Sequence, residues 1–119
     1  MTETKTNDTI FGKIIAGELP CDLVYEDDSV MAFRDINPAA PVHILVIPKE
    51  HIVNLFDAEE RHSEVLGKLM LTAAHVAREQ GLEEDGFRVV MNNGAGAGQT
   101  VFHMHLHIIG GRALSWPPG

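Results

Sequence analysis

Three histidines near the end of the chain have the spacing and the side-chain chemistry of a reactive site. They alternate with apolar residues in the segment His103-Met104-His105-Leu106-His107-Ile108-Ile109. Because successive side chains on a β-strand point to opposite faces, a strand over residues 101–109 places the three imidazoles on one face. The other face then carries Phe102, Met104, Leu106 and Ile108. Imidazole titrates near neutral pH and serves as acid, base, nucleophile or metal ligand, so the row predicts a functional surface.

Metal binding is one chemistry that this row of histidines could serve. Zinc holds its ligand nitrogens at about 2.0–2.1 Å. On a flat strand, Cβ atoms at i and i+2 lie roughly 6.6 Å apart and those at i and i+4 roughly 13 Å apart. Two neighbouring histidines can therefore converge on one ion, whereas all three cannot do so easily. A metal would need a further ligand, which His43, His51 or an acidic side chain could supply.

Phosphate chemistry is the second candidate, because a glycine-rich segment directly precedes the histidines. It reads Asn92-Asn93-Gly94-Ala95-Gly96-Ala97-Gly98-Gln99-Thr100. Glycines let backbone N–H groups approach an anion closely, and Gln99 and Thr100 add side-chain donors. An imidazole can attack phosphorus to form a phosphohistidine, while a neighbouring histidine sets its tautomer and another acts as acid. His43 opens a buried strand and needs a polar partner, which the row could provide.

Composition limits the class of protein. With 119 residues, 45% of them hydrophobic, the chain is long enough for one domain with a real core. The net charge of -8 disfavours nucleic acid and anionic membranes as partners. We expect residues 1–8 to form a flexible polar tail without a signal peptide, and we find no apolar run long enough to span a membrane. A single cysteine, Cys21, fits a reducing cytoplasm.

Periodicity predicts an α+β domain with a mainly antiparallel sheet. This prediction rests on consecutive predicted strands that are interrupted by one long helix. In chain order, the expected elements are a short helix from Ile10 to about Gly17, strands over 22–25, 30–35 and 43–48, a long helix capped by Asp57 with Glu60 and ending at Gly81, and strands over 87–92 and 101–109.

The histidine row resembles the signature of the histidine triad (HIT) superfamily, His-φ-His-φ-His-φ-φ, where φ is apolar. Four other segments resemble the Hint branch of that superfamily, the histidine triad nucleotide-binding proteins, which are purine nucleoside phosphoramidases. These segments are residues 9–15, 33–38, 43–52 and 115–119. The resemblance covers about residues 9–119, which it implies form a single HIT domain that includes the terminal Trp-Pro-Pro-Gly.

The resemblance implies a fold, an activity and an assembly. The fold is a five-stranded sheet with one short N-terminal and one long central helix, and two protomers join their sheets into a ten-stranded one. The activity is cleavage of the P–N bond of purine nucleoside 5′-phosphoramidates through a covalent nucleotidyl-histidine. The expected ligands are purine nucleoside monophosphates and their phosphoramidates. No cofactor is implied, and because Cys21 has no partner cysteine we expect no structural zinc of the kind that some family members hold.

The resemblance also assigns site residues. His105 is the implied nucleophile, His107 lies at the phosphate, His43 supports the nucleophile, and His103 has a more structural role. Thr100, where close relatives often have Ser, keeps the hydroxyl that the resemblance implies can donate a proton to the leaving amine. The implied base pocket comprises Ile10, Phe11, Ile14, Phe33 and Ile36, the ribose contact is Asp35, and the phosphate side comprises Asn92, Gly98 and Gln99. Trp116 is assigned to the dimer or leaving-group side.

Several alternatives remain open. A dinucleoside polyphosphate hydrolase of the sister branch is disfavoured by the Hint-like terminus. A nucleotidyltransferase of the related galactose-phosphate branch is disfavoured because that branch has Gln where this chain keeps His107. A metal enzyme would lose activity to chelators. A nucleotide-binding or partner-regulating module, in which hydrolysis is incidental, would keep its role without His105.

Overall fold

Five antiparallel strands form one sheet, with a long helix on one face and a short helix on the other. The computed structural model describes residues 7–119. Its main elements are α1 (Ile10–Ile15), β1 (Leu23–Glu26), β2 (Val30–Arg34), β3 (Val42–Pro48), α2 (Ser63–Glu79), β4 (Phe87–Val90) and β5 (Leu106–Gly110). The strand order is β1-β2-β3-β5-β4, so β2, β3 and β5 are interior strands and β1 and β4 are edges. The predicted α+β class and strand count are confirmed.

The alternation of side chains on β3 separates two hydrophobic clusters. Ile44 and Val46 pack with apolar residues of α2, such as Leu69 and Val76, in the larger cluster. Leu45 and Ile47 point to the opposite face, where they pack with Phe11 of α1 and with residues of β2. The sheet is therefore buried on both faces at its centre, and α1 covers only part of the second face. The site described below lies beside α1.

The long helix begins later than the sequence predicts. Asp57 does not cap it but ends a 3₁₀ helix, Leu55–Asp57, whose cap is Asn54. A second 3₁₀ helix, Glu60–His62, precedes α2 and contains the Glu60 that was assigned to the capping box. The reason lies in His62, since its Nδ1 accepts a hydrogen bond from Glu59 N at 2.8 Å and holds this tight turn.

The C-terminal strand is shorter than expected. We predicted a strand over 101–109, but β5 starts at Leu106, so of the three histidines only His107 lies in the ladder. If the register of β3 with β5 continued beyond Val46 and Leu106, Ile47 would lie beside His105 and then Pro48 beside Met104. Proline has no N–H to donate to a ladder. The carbonyl oxygen of Pro48 instead accepts from His103 Nε2 at 2.7 Å, and Met104 N donates to Ile52 O at 2.7 Å.

The alternation of faces nevertheless continues beyond the ladder. Met104, Leu106 and Ile108 all belong to the cluster beneath α2. Phe102 does not join them and is 48% exposed, so its predicted place in the core is wrong. Backbone direction thus keeps the histidines on the α1 face even where the strand hydrogen bonds have stopped.

The predicted N-terminal tail is only partly within the described residues, which begin at Asn7. Asn7 is half-buried and hydrogen-bonded, so it is not part of a loose tail. Thr9 caps α1, its hydroxyl accepting from Gly12 N at 3.0 Å. Among the residues that the structure describes, no helix is long and apolar enough to cross a membrane.

Candidate active site

A cleft of about 410 Å³ opens between α1 and the sheet. The ring of Phe11 forms its floor, in edge-on contact with Phe33 (centroids 5.5 Å apart) and with His105 (5.0 Å). The walls combine a large apolar surface with a few polar groups at one end. The lining residues are Ile10, Phe11, Ile14, Leu19, Pro20, Cys21, Phe33, Arg34, Asp35, Ile36, Asn37, Leu45, Thr100, Val101, His105 and His107. Such a cleft suits a flat apolar group attached to a polar one.

The tautomer of His105 is set by the backbone. Its Nδ1 lies 2.7 Å from the carbonyl oxygen of His103, which can only accept, so Nδ1 carries the proton. The lone pair of the neutral ring is therefore on Nε2. Burial lowers the pKa of His105, with smaller opposing effects from this hydrogen bond and from the negative charge of Asp35. The ring is 5% exposed and neutral near pH 7, which is the form of imidazole that acts as a nucleophile.

A second chain of hydrogen bonds sets the tautomer of His107. Ala39 N donates to His43 Nδ1 at 2.9 Å, so the proton of neutral His43 is on Nε2. His43 Nε2 lies 2.9 Å from His107 Nδ1 and donates to it. The proton of neutral His107 is consequently on its own Nε2. The structure thereby supplies the polar partner that a histidine at the start of a buried strand requires.

The Nε2–H of His107 is a buried donor whose hydrogen-bonding capacity is unused. Among the described residues, His107 Nε2 is the buried side-chain polar atom without a hydrogen-bond partner. Burial, with the neighbouring rings of His105 and His43, lowers the pKa of His107 to about 4. A buried, unpaired donor costs free energy unless a ligand accepts from it. A hydrogen-bond acceptor on a bound ligand would satisfy this N–H.

Asp35 borders the same polar end of the cleft. Its Oδ1 accepts from Asn37 N at 2.8 Å, which caps the turn after β2, and its Oδ2 lies 3.4 Å from His43 Nε2. The carboxylate is half-buried and retains acceptor capacity toward the cleft. It is positioned to accept hydrogen bonds from hydroxyl groups of a ligand.

His103 is a structural member of the triad. It is fully buried, with Nε2 donating to Pro48 O at 2.7 Å and Nδ1 facing Asn7 Nδ2 at 2.8 Å. Both ring nitrogens are thus occupied, and His51 stacks on the ring with centroids 5.2 Å apart. Burial lowers the pKa of His103 to about 4, so the ring stays neutral. Its backbone oxygen holds His105, which makes its role one of support.

One group of side chains has the composition of a metal site. Asp35, His43 and His107 offer ligand atoms within 4.8 Å of one another. The hydrogen bonds of His43 do not fit such a role. An ion on Nε2 would require the proton on Nδ1, where it would oppose the N–H of Ala39. In this arrangement the three side chains fix the positions of protons through hydrogen bonds and do not fit metal coordination.

Three residues assigned to the phosphate side do not line the cleft. Gln99 is 2% exposed and uses all of its hydrogen-bonding capacity internally. Its oxygen accepts from Gly94 N (2.8 Å) and Asn54 Nδ2 (3.4 Å), and its nitrogen donates to Val53 O (2.7 Å) and Val101 O (3.1 Å). Its side chain therefore has no free group for a phosphate in this geometry.

The other two residues of this group also shape the loop. Asn92 Nδ2 lies 3.4 Å from Gly98 O. Gly98 has φ +96°, a conformation that glycine adopts without strain, and it ends the 3₁₀ helix Ala95–Ala97. The glycine-rich segment is thus a tight turn tied down by Gln99 and Asn92. Thr100, directly after it, does line the cleft with His105 and His107.

Of the remaining residues assigned from the resemblance, the base-pocket residues line the cleft and Trp116 does not. The base-pocket residues Ile10, Phe11, Ile14, Phe33 and Ile36 all line the cleft. Ile36 is 89% exposed and forms its rim. Trp116 is not among the lining residues and is largely exposed, while Ser115 O next to it accepts from Arg88 Nη2 at 2.9 Å. Within one protomer, then, Trp116 takes no part in the cleft.

Sequence reasoning missed three residues that position the site. Ala39 acts through its backbone N–H, for which a sequence has no side-chain signal. Arg112 Nη2 donates to Ala39 O at 3.0 Å and holds this loop in place. Asn7 was assigned to the tail, although an amide shortly before a helix cap could have suggested a local hydrogen bond.

Comparison with known proteins identifies the family. The HIT domain model matches residues 16–114. The chain is 58% identical over 114 residues to a "14 kDa zinc-binding protein" of Brassica juncea, covering 94% of this chain and all of that one. It is 55% identical over 113 residues to "Adenylylsulfatase HINT1" of Arabidopsis thaliana, covering 93% of this chain and 76% of the relative.

A solved structure agrees with the sequence relatives. The HIT family hydrolase of Legionella pneumophila superposes with a TM-score of 0.92 at 46% identity, covering 94% of this chain and all of that one. The resemblance inferred from the histidine row and the four other segments is confirmed by these matches. The chain belongs to the HIT domain family, the family of histidine triad hydrolases, and is similar to its Hint proteins.

Proposed function

We propose that this protein hydrolyses the P–N bond of purine nucleoside 5′-phosphoramidates, with His105 as the covalent nucleophile. One observation carries the proposal: the lone pair of His105 Nε2 and the unpartnered Nε2–H of His107 belong to the same cleft. One group attacks phosphorus, and the other donates to the oxygen on which negative charge builds up.

The reaction then runs in two displacements. The lone pair of His105 Nε2 forms a bond to the α-phosphorus as the P–N bond breaks, and the departing nitrogen takes up a proton to leave as an amine. Water next attacks the phosphorus, the bond to Nε2 breaks, and the nucleoside monophosphate leaves. Burial keeps His105 and His107 neutral at the start of each cycle, since it lowers both pKa values. Thr100 lines the same cleft, and we assign its hydroxyl to protonation of the amine.

The binding mode follows from how the cleft is divided. Its apolar part, floored by Phe11, accepts the purine ring through burial and edge-on aromatic contacts. Asp35 accepts hydrogen bonds from the ribose hydroxyls, which puts the α-phosphate at the histidines. The lining offers few polar side chains at the base end, so adenine and guanine both fit this proposal.

A second substrate class shares the same phosphorus chemistry. The Arabidopsis relative is named an adenylylsulfatase, and in adenylylsulfate a sulfate replaces the amine on the α-phosphorus. Attack by His105 would then break a P–O bond and release sulfate without need of a proton donor. We therefore include adenylylsulfate as an alternative substrate of this site.

Turnover of defined substrates tests the proposal. The purified protein is incubated with an adenosine 5′-phosphoramidate, with adenylylsulfate and with a dinucleoside polyphosphate, each with and without EDTA. We expect AMP release from the phosphoramidate that EDTA does not reduce. In the group Asp35, His43 and His107, the hydrogen bond from Ala39 N to His43 Nδ1 keeps the His43 proton on Nε2, the atom that a metal ion would need. AMP release only from the dinucleoside polyphosphate would favour the sister branch. Loss of activity to EDTA, restored by zinc, would contradict the metal-free mechanism.

We also propose that the protein works as a homodimer in which two β4 strands pair to form a ten-stranded sheet. Strand β4 is an edge of the sheet, so one side of its backbone is free to pair. An apolar groove of about 310 Å³ runs beside it, lined by Leu55, Leu66, Leu69, Met70, Val89, Met91 and Leu106. Met70 and Leu71 of α2 are mostly exposed, which is costly unless a partner covers them. We place this dimer in the cytoplasm, as the lone cysteine suggests.

Sedimentation velocity tests the assembly. The wild-type chain is expected at twice the monomer mass, and Met70→Lys is expected to shift it toward the monomer because a charge in an apolar interface is costly. Leu23→Lys serves as the control, with no effect expected. Leu23 lies on the opposite edge strand and is about as exposed as Met70. A wild-type monomer at working concentration would contradict the proposal, as would a dimer lost in the control alone.

A further inference from the structure

We propose that Asn7 is a positioning residue that ties α1, one wall of the cleft, to His103 and through it to His105; this inference rests on the proposed function. The side-chain nitrogen of Asn7 lies 2.8 Å from His103 Nδ1. Because His103 Nε2 donates to Pro48 O, Nδ1 holds the lone pair and the amide must be the donor.

The other end of the same amide holds the start of α1. Asn7 Oδ1 accepts from the hydroxyl of Thr9 at 2.6 Å and from Thr9 N at 3.2 Å. The hydroxyl of Thr9 in turn accepts from Gly12 N at 3.0 Å as the helix cap. One planar amide therefore donates to the triad and accepts from the helix cap. An N-cap by itself would need no such second contact.

Gly12 shows how closely the segment before α1 packs on the helix. A Cβ at this position would collide with Cγ and with the backbone oxygen of Asn7. Gly12 is buried, and its φ is not in the left-handed region, so its lack of a side chain serves close approach and not backbone freedom. The chain thus has a glycine where Asn7 must lie against the helix.

The contact has a direct route to the chemistry. His103 O accepts from His105 Nδ1, and Phe11 of α1 packs edge-on against both His103 (6.2 Å) and His105 (5.0 Å). Moving α1 away from His103 would loosen the cleft wall that carries Ile10, Phe11 and Ile14. We expect the larger effect on nucleotide affinity and the smaller one on the turnover rate, because His103 keeps its bond to Pro48.

Two substitutions distinguish the contact of the Asn7 side-chain nitrogen with His103 from the contacts of its side-chain oxygen with Thr9. Asn7→Ala removes both contacts. Asn7→Asp keeps an acceptor for Thr9 but sets a carboxylate against the lone pair of His103 Nδ1. Asp8→Asn, an exposed neighbour, is the control for charge and is expected to leave all readouts unchanged. The readouts are AMP affinity by calorimetry, kcat and KM on the phosphoramidate, the ¹⁵N signal of His103 Nδ1, and thermal unfolding.

We expect Asn7→Asp to bind AMP about fivefold more weakly, the effect of one lost hydrogen bond, and Asn7→Ala to bind at least as weakly because it loses the Thr9 contacts as well. The fall in kcat is expected to be about twofold. The ¹⁵N signal of His103 Nδ1 should change in both variants. An Asn7→Asp protein with wild-type AMP affinity and an unchanged His103 signal would overturn the proposal, because Asn7 would then serve only Thr9. Variants that fail to fold are replaced by Asn7→Ser, whose shorter hydroxyl keeps the Thr9 contact but does not reach His103.

These outcomes are distinct from failure of the proposed function. AMP affinity and the His103 signal need no turnover, so a wild-type protein that binds AMP without cleaving phosphoramidates overturns the function and leaves this inference standing. If the wild type binds no AMP, the His103 signal and the hydrogen exchange of Gly12 N–H decide alone, with faster exchange expected in both variants.

Discussion

Replacing His105 with alanine is expected to abolish AMP release from an adenosine 5′-phosphoramidate, with a loss of at least about 10⁴-fold. The ring supplies the atom that bonds to phosphorus, and no other described imidazole in the cleft has a free lone pair. His43 Nδ1 accepts from Ala39, and His107 Nδ1 accepts from His43. Single-turnover assays that follow AMP measure the loss. AMP binding should persist, because Phe11 and Asp35 are untouched.

The matched control for this variant is His75→Ala. His75 is exposed on α2, with its ring against Tyr25, and it is far from the cleft in the fold. We expect wild-type turnover from it. Substantial AMP release by His105→Ala would refute nucleophilic catalysis at this residue. If the wild type cleaves no phosphoramidate and His105→Ala binds AMP as well as the wild type does, a nucleotide-binding module is favoured instead.

The free energy of unfolding is expected to fall steeply as the pH drops from about 6.5 to about 4. Burial lowers the pKa of His103 and of His107 to about 4, whereas both rings titrate near 6.5 in the unfolded chain. In this window the unfolded state binds more protons than the folded state, so stability rises with pH. The full contribution is present above about pH 6.5. It amounts to about 3 kcal/mol for the fully buried His103, with less from His107.

Urea unfolding near pH 7 and at several lower pH values measures this dependence. His75→Gln removes an exposed histidine and should leave the slope of unfolding free energy against pH unchanged. His103→Gln should lower that slope by the amount that corresponds to about one bound proton. Carboxylates with lowered pKa values, such as Asp27 and Glu50, lose their contribution in a lower window, below about pH 4.5, so the two effects are separable. An unfolding free energy that is constant between pH 6.5 and 4.5 would show that the buried histidines accept protons without cost.

The two effects have a common origin in desolvation. The same burial that keeps His105 and His107 neutral for attack and hydrogen bonding makes their protonation unfavourable in acid. The unpaired Nε2–H of His107 is a further cost, which bound nucleotide should relieve. AMP is therefore expected to stabilise the protein beyond the contribution of its apolar contacts.

Much of the molecule could be predicted from local pattern. Apolar periodicity located both helices and all five strands, because burial of one face imposes a period that the sequence must show, although the long helix and the last strand each begin about five residues later than predicted. The exception at the C-terminal strand is instructive. Alternation from His103 to Ile108 correctly predicted the faces, but the ladder depends on a partner strand, and Pro48 of that partner lies 55 residues away from His103 in the chain.

The site divides in the same way. The residue types alone indicated nucleophilic or metal chemistry, and the resemblance to a family selected His105. The sequence did not reveal which nitrogen of each ring carries the proton. That is decided by the His103 carbonyl for His105, and by Ala39 N through His43 for His107. These are backbone groups that almost every residue type carries, so side-chain identity does not reveal which of them will meet a histidine ring.

The sequence by itself determined the fold class and the family, and it singled out the histidine row as the candidate reactive side chains. The tertiary structure decided which polar groups are free. Gln99 was predicted to bind phosphate from its type and position, yet four internal hydrogen bonds consume it, while His107 Nε2 remains unpaired. The reason is physical: the type of a side chain states how many hydrogen bonds it can make, and only the packed chain determines which of them are already satisfied.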